Sequence, residues 1–203
     1  MENIIIYLLA YLIGGIPFGF LLAKFFANTD IKKLGSKSIG ATNVLRVIKE
    51  VNPKLAKKLA IATIILDAAK GIIPILIAKN LSYDENILWT MAVLAVFGHC
   101  FSPYLKFEGG KGIATGAGVL AVFLPLEILC ALLIWFVVGK IFKISSLASL
   151  CALATLILTS FIFHYDMPVI NTHAPIFIIA FIVVYKHIPN ILRIIGKQEC
   201  KVI

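Results

Sequence analysis

The chain has 203 residues, of which 61% are hydrophobic and 14% charged, and its mean hydropathy is +1.00. Ordinary soluble domains are about 45–50% apolar and about 25% charged, so this composition argues against a water-soluble globular domain. Its 19 basic and 10 acidic residues give a net charge of +9. In so apolar a chain a basic excess first indicates membrane orientation, and no nucleic-acid partner is expected.

The apolar residues form runs of about 15–25, the length that crosses a hydrocarbon core roughly 30 Å thick. They lack the alternation of a β-barrel and predict an all-α, polytopic transmembrane helix bundle, with residues 1–203 as a single integral membrane domain. Because Pro125 and Glu127 interrupt one run, the prediction is about seven helices: five full spans plus two short helices that meet at Pro125. The predicted spans lie near residues 4–26, 59–79, 87–101, 113–124, 125–139, 144–163 and 173–189.

The distribution of basic residues predicts the orientation of the bundle. With the N-terminus outside, 17 of the 19 Lys and Arg residues fall on the cytoplasmic side. The positive-inside rule therefore predicts an outside N-terminus and a cytoplasmic C-terminus, in agreement with an odd number of spans. The start of the chain lacks the basic region and cleavage site of a signal peptide, so the first run is expected to remain as a span.

Three polar segments fall on the predicted cytoplasmic side, and the first covers residues 34–46. Gly35 and Gly40 allow close backbone approach, and the hydroxyl, amide and guanidinium groups between and after them suit an oxyanion. The alternative is a solvated loop followed by a surface helix that Thr42 or Asn43 caps. The polar side chains of this segment include Ser36, Ser38, Thr42, Asn43 and Arg46.

The second segment contains Gly109, Gly110, Lys111 and Gly112, which open a predicted helix. Backbone N–H groups of the glycines, the N-terminus of the helix and the lysine charge together predict a phosphate cradle. The pattern is not the Walker sequence, no acidic metal-holding motif accompanies it, and neither a metal nor a cofactor is expected. A turn that re-enters the membrane remains the alternative.

The third segment runs from residue 187 to 199. His187 and Asn190 are three residues apart and can share a helix face, either to bind phosphate or, for the histidine, as an interfacial anchor. The chain has only two arginines, Arg46 and Arg193, against 17 lysines. Since a guanidinium offers a planar fork for phosphate that lysine lacks, this sparing use suggests a geometric need.

Asp67 and Lys70 are charged residues inside the second predicted span. Their i, i+3 spacing places them on one helix face. They form either an internal ion pair or, for Asp67, a contact with a cation from one of the loops.

In their order and loops, the three segments resemble the motifs of the PlsY family, the bacterial membrane acyl-phosphate:glycerol-3-phosphate acyltransferases. The family pattern GSGNIGATNxxR is similar to residues 35–46, FKGGKGxAT to 107–115, and HxxNIxRLxxGxE to 187–199. The likeness spans nearly the whole chain. The departures are Lys37-Ser38 in place of Gly-Asn, Glu108 in place of a lysine, and Gly196 one position early.

The resemblance implies transfer of a fatty acyl group from acyl phosphate to the sn-1 hydroxyl of glycerol 3-phosphate, forming lysophosphatidic acid in phospholipid biosynthesis without a cofactor. It also implies a multi-pass protein of the bacterial cytoplasmic (inner) membrane, with its active site on the cytoplasmic face. Membrane lipids and the enzyme that produces acyl phosphate would be its partners. The catalytic positions would be Ser36, Arg46, Lys111, His187 and Asn190. The substrate-binding positions would be Thr42, Asn43, Gly109, Gly110, Gly112 and Arg193, with the glycines on the acyl phosphate.

Two other functions remain open from the residues alone. A transporter or channel for a phosphorylated metabolite requires polar residues at mid-membrane, and few are present beyond Asp67 and Lys70. A protein that only binds anionic lipid headgroups needs charge alone, so lysine could replace Arg46 with little effect.

Overall fold

The computed structural model describes residues 2–167 and 169–201, and these residues contain helices and no strand. Residues 1, 168, 202 and 203 of the predicted single domain lie outside the described part. The helices of the described part are α1 (Glu2–Gly15), α2 (Phe18–Ala27), α3 (Ala41–Lys49), α4 (Pro53–Asn80), α5 (Glu85–Cys100), α6 (Ile113–Phe123), α7 (Pro125–Phe142), α8 (Ser145–Phe163) and α9 (Ala174–Ile195), with a 3₁₀ turn at Pro103–Leu105.

Six stretches of the described chain are helical, long and apolar enough to cross a membrane. They confirm the prediction of a polytopic all-α membrane bundle. One of them, Asn3–Ala27, joins α1 and α2, and the others contain α4, α5, α7, α8 and α9.

The predicted break before Pro125 is present, because Pro125 occupies the first position of α7. The division into five full and two short helices needs one correction. Helix α6 is short, with 11 residues, but α7 has 18 and counts among the six long stretches. Gly139 and Lys140 do not end α7, which continues to Phe142 and is followed by Lys143, where the backbone turns left-handed with φ 60°.

Two further features of the bundle are the start of α4 and the packing of α1 on α5. Helix α4 begins at Pro53, six residues before the predicted start, and the side chain of Asn52 caps it by accepting from the Leu55 N–H at 3.0 Å. Helix α1 packs backbone to backbone on α5, since a Cβ on Gly14 would lie 2.3 Å from the carbonyl oxygen of Ala95.

Contacts at the two ends of the bundle show how α6, α7 and α8 run. At one end the Thr42 hydroxyl lies 3.1 Å from the Ser145 hydroxyl and joins α3 to α8. At the other end His164, just after α8, contacts Glu127 in the first turn of α7. These helices therefore alternate in direction, and the end marked by Thr42 and Ser145 is called the polar end below.

The amphipathic helix α3 lies at the polar end. Val44, Val47 and Ile48 are buried at the spacing of one helix face, whereas Val51 lies beyond the helix and is exposed. The predicted cap by Thr42 or Asn43 is not formed, because Gly40 holds the N-cap position without a side-chain hydrogen bond. The buried face of α3 packs on a small apolar cluster that includes Ile31, Ile39, Ala56 and Leu59.

Candidate active site

The three polar segments line one cavity of about 350 Å³ at the polar end of the bundle. Residues more than 140 positions apart in the sequence, such as Ser36 and His187, face the same space. This convergence is consistent with the prediction that the three segments lie on the same, cytoplasmic side of the membrane. The polar lining includes Ser36, Ser38, Thr42, Asn43, Arg46, Asp67, His99, Lys111, Ser145, Ser146, Ser149, His187, Asn190 and Glu199.

Three helices begin at this cavity. The first residues of α3, of α6 and of α8 all lie in its wall. A helix N-terminus carries unpaired N–H groups and the positive end of the helix dipole, so it favours an anion. Three such ends around one space, together with Arg46 and Lys111, form a site suited to phosphate groups.

Asn43 organises the loop before α3 from within. Its side-chain oxygen accepts from the Ser36 N–H at 2.8 Å, and its amide nitrogen donates to the carbonyl oxygens of Ile31, Leu34 and Ser38. The side chain is 1% exposed. Asn43 therefore places Ser36 at the cavity, and its amide hydrogens are already committed to the loop.

The Gly-Gly-Lys-Gly segment divides into a supporting part and a lining part. The Gly109 N–H donates to the Cys100 carbonyl oxygen at 3.1 Å, and the Gly110 N–H to that of His99 at 2.9 Å. These two glycines therefore attach the segment to the end of α5, and their N–H groups do not point into the concavity as the sequence suggested. Lys111 and Gly112 line the cavity, and Gly112 begins α6 with φ 82°.

His187 and Asn190 share a face of α9, as their spacing predicted, and both are buried. The Nδ1 atom of His187 lies 2.7 Å from the Val183 carbonyl oxygen. Because a carbonyl only accepts, Nδ1 carries the hydrogen, and in the neutral ring Nε2 is left as an acceptor. The imidazole thus presents a proton acceptor to a ligand in this cavity.

Glu199 returns to the cavity after α9 and gathers three donors. Its carboxylate accepts from Arg193 Nε at 2.6 Å, from the Ser146 hydroxyl at 2.8 Å, and from the Asn190 amide. Burial alone would raise the pKa of Glu199, but these hydrogen bonds outweigh it and hold the pKa below its usual range. Arg193 therefore acts through Glu199 and is absent from the cavity lining.

Lys111 is the cation most affected by this site. Burial lowers its pKa to about 8; the Glu199 carboxylate opposes this shift, whereas the Arg193 and Arg46 charges add to it. Three cations thus lie close enough to influence one another. A bound dianion would relieve their repulsion and favour the charged form of Lys111.

The same cavity continues from its polar and basic groups into an apolar channel. Leu156 lies 11 residues after Ser145, about 16 Å along α8 at 1.5 Å per residue, so the apolar part extends well into the bundle. A ligand that fits the whole cavity has an anionic head and a hydrocarbon tail. The apolar lining includes Leu120, Ile128, Leu132, Trp135, Leu153 and Leu156.

Sequence reasoning missed several lining residues. Ser145 and Ser146 follow Lys143 at the start of a span, and that serine pair at a helix N-terminus was the available signal. Glu199 stood within the third segment, but nothing local indicated that it would fold back onto Asn190. Among the described residues, no group of three or more His, Cys, Asp or Glu side chains is placed to hold a metal ion.

The fold and the cavity define a class of protein: a multi-pass membrane protein with a polar, basic pocket joined to an apolar channel. The glycerol-3-phosphate acyltransferase family model matches residues 4–197. The chain belongs to this family, the PlsY family whose motifs the three segments resemble.

Proteins named glycerol-3-phosphate acyltransferase are similar over the whole chain. One from Campylobacter lari is 82% identical over 203 residues and covers 100% of both chains. One from Nitratiruptor is 58% identical over 201 residues, covering 99% of this chain and 96% of the relative.

Solved structures share the fold. The crystal structure of PlsY, an integral membrane glycerol 3-phosphate acyltransferase, in its glycerol 3-phosphate form has a TM-score of 0.84 and 31% identity, covering 99% of this chain and 96% of the other. Its lysophosphatidic acid form has a TM-score of 0.83 and 32% identity, covering 99% and 95%.

Proposed function

We propose that this chain transfers a fatty acyl group from acyl phosphate to the sn-1 hydroxyl of glycerol 3-phosphate, with lysophosphatidic acid and inorganic phosphate as products. Its family membership supports glycerol-3-phosphate acyltransferase activity. We further propose that residues 1–203 act as one integral membrane acyltransferase domain in phospholipid biosynthesis.

The observation that carries the proposal is the single cavity that joins a phosphate site to an apolar channel. Both substrates carry a phosphate, and the donor and the product also carry a long alkyl chain. A transporter for a phosphorylated metabolite has no need of the apolar part. A headgroup-binding surface has no need of a half-buried lysine such as Lys111 or of three converging helix N-termini.

The reaction requires positioning more than covalent catalysis. The sn-1 oxygen attacks the acyl carbonyl carbon, the bond between that carbon and the phosphate oxygen breaks, and the hydroxyl proton leaves on the departing phosphate. Acyl phosphate is an activated anhydride, so no enzyme nucleophile is needed. Fixed donors and cations around both phosphates lower the barrier by orientation and charge stabilisation.

Within this proposal, Ser36, Arg46 and Lys111 bind phosphate oxygens directly. His187 accepts a hydrogen bond from the acceptor hydroxyl through Nε2, and Asn190 contributes to the same end of the cavity. Thr42 and Gly112 contact substrate beside them. Of the remaining predicted substrate-binding residues, Gly109, Gly110 and Arg193 support the site from behind its wall. Asn43 lines the cavity but uses its side chain to hold the loop before α3.

We place the site on the cytoplasmic face of the bacterial inner membrane, with the N-terminus outside and the C-terminus inside. The basic residues concentrated at the polar end support this orientation through the positive-inside rule. The enzyme that makes acyl phosphate is the expected partner, because a donor with a long alkyl chain and a reactive anhydride is best delivered at the membrane. Membrane lipids surround the exposed apolar faces of the helices.

The test is phosphate release from a long-chain acyl phosphate by the purified protein in detergent or lipid. It is run with and without glycerol 3-phosphate, with acyl-CoA as a second donor and with Lys111→Ala beside the wild type. We expect release that depends on glycerol 3-phosphate, occurs with acyl phosphate alone, and is lost in the variant. A folded, monodisperse wild type that releases nothing from any donor would contradict the proposal and favour a transport assay in sealed vesicles.

A further inference from the structure

Asp67 and Lys70 of α4 and His99 of α5 form a buried cluster in which Asp67 and His99 reach the cavity wall and Lys70 lies behind them, and each is 5% exposed or less. The Lys70 ammonium donates to Asp67 Oδ1 at 2.7 Å, to the Ile16 carbonyl oxygen at 2.7 Å, and to His99 Nδ1 at 2.9 Å. An ammonium has three N–H donors, so all are used. This confirms the ion pair and adds two partners that the sequence did not indicate.

The cluster contacts the Gly109–Gly112 segment, called the cradle below, through His99. Its carbonyl oxygen accepts the Gly110 N–H at 2.9 Å. Its imidazole lies directly against the same glycine, since a Cβ on Gly110 would be 2.1 Å from Nε2. His99 therefore holds the second glycine of the cradle with both its main chain and its ring.

The arrangement links helices α4 and α5 to the break between α1 and α2 and to the Gly109–Gly112 segment. Ile16 lies in the break between α1 and α2, Asp67 and Lys70 lie on α4, and His99 lies at the end of α5. An ion pair between Asp67 and Lys70 alone would need no other partner, and two apolar residues of similar volume often replace a buried ion pair without loss of stability. Two apolar residues could not, however, hydrogen-bond the His99 ring as Lys70 does.

We propose that Asp67, Lys70 and His99 are positioning residues that set the Gly109–Gly112 cradle for its phosphate. This inference rests on the proposed function, in which Lys111 and Gly112 of that segment contact a substrate phosphate. Lys70 orients the imidazole, Asp67 orients the ammonium, and the imidazole limits where Gly110, and with it Lys111, can lie. Loss of this support displaces the cradle while the rest of the cavity stays in place.

Gly110→Ala shows the kinetic effect of a displaced cradle and serves as the reference for the other variants, because its new methyl group must displace the His99 ring. We expect it to raise KM for the phosphate substrate of the cradle by about tenfold or more, with kcat less affected, since small displacements of binding groups are costly. His99→Leu and the paired variant Asp67→Asn/Lys70→Met should show the same substrate dependence. The paired variant removes both charges together, so no uncompensated charge remains buried.

His99→Asn should recover most of the lost affinity, because its side-chain oxygen can accept from Lys70 in place of Nδ1. Combining His99→Leu with the paired variant should give less than the product of the separate effects, as expected for one coupled unit. Glu127→Gln is the matched control: it neutralises another buried carboxylate, at the opposite end of the bundle, and should leave KM unchanged.

The upward shift of Tm caused by inorganic phosphate gives a second readout that needs no turnover. We expect a clear shift for the wild type and for Glu127→Gln, and a smaller one for His99→Leu and the paired variant. A wild type that shows the shift without turnover would refute the proposed function and leave this inference standing. Equal shifts in all variants, no shift in the wild type, or unchanged KM in His99→Leu would overturn the inference.

Discussion

Arginine and lysine perform different tasks in this chain. Seventeen lysines are spread along the sequence, whereas both arginines lie at or directly behind the polar part of the cavity. Arg46 lines the cavity, and Arg193 holds the Glu199 carboxylate at 2.6 Å. The planar guanidinium offers paired donors at fixed angles, which an ammonium on a flexible stem does not. Charge alone therefore does not account for these two positions.

Arg46→Lys is expected to lower kcat/KM on the order of 100-fold, the effect of losing a fixed donor to transition-state charge. The measurement is the phosphate-release assay with both substrates varied. Lys49→Ala, an exposed position on the same helix, is the control and should retain wild-type kinetics. Full activity of Arg46→Lys would favour a site that recognises charge only.

The lowered pKa of Lys111 predicts a pH dependence. Lys111 binds phosphate only when protonated, so as pH rises through about 8 the free enzyme loses this charge and kcat/KM should fall. Lys111→Arg stays protonated, so its activity, even if lower, should show no decline in this range. Lys106→Ala, an exposed lysine nearby, should keep the wild-type profile. A wild-type profile that is flat from pH 7 to about 9.5 would exclude this role for Lys111.

At the scale of elements, the site is assembled from helix beginnings. Helices α3, α6 and α8 start at the cavity, and none of the three has a side-chain cap hydrogen bond. Their first N–H groups thus remain free of side-chain partners, which suits an anion-binding role. Close helix contacts also occur away from the cavity, such as that of α1 with α5 at Gly14.

Gly14→Ala tests that contact. The added Cβ would lie 2.3 Å from the Ala95 carbonyl oxygen, so α1 and α5 must separate, at a cost of about 1–3 kcal/mol for overpacking. A fall in Tm of the purified protein measures it. Gly139→Ala is the matched control, since its nearest atom would be 3.7 Å away, and alanine should stabilise a helix by about 0.5–1 kcal/mol. Equal Tm values for the two variants would contradict this packing.

At the scale of the whole molecule, the bundle is polar at one end and apolar through its depth. Cys200 is exposed at the polar end, whereas Cys100 is buried. The basic residues of that end predict that it faces the cytoplasm. The chain therefore carries a natural probe of its own orientation.

A membrane-impermeant thiol reagent should label Cys200 in inverted vesicles and not in intact cells stripped of their outer barrier. Cys200→Ser should remove that label. In the Cys200→Ser background, Asn80→Cys at the far end of α4 should be labelled from the opposite side. Labelling of Cys200 from outside would reverse the proposed orientation and place the site away from the cytoplasm.

The sequence by itself determined the spans, the break at Pro125 and the chemistry of the three segments. These are local properties: hydrophobic length decides which residues can cross a membrane, and proline ends a helix through its own ring and missing N–H. The order of the three segments gave the resemblance to the PlsY family, and the family model confirmed the membership. The length of α7 was underestimated because neither Gly139 nor Lys140 is a strong stop inside an apolar helix.

Only the tertiary structure decided which polar groups remain available for a ligand. The sequence suggested that the Gly110 N–H and the Asn43 amide could bind a ligand, but both donate to backbone carbonyl oxygens. Ser146 and Glu199, in contrast, line the cavity. A hydrogen-bonding group serves whichever partner packing brings within about 3 Å, and those partners come from distant parts of the chain. The same reason explains His99: its contacts with Lys70 and Gly110 exist only because α4, α5 and the cradle meet.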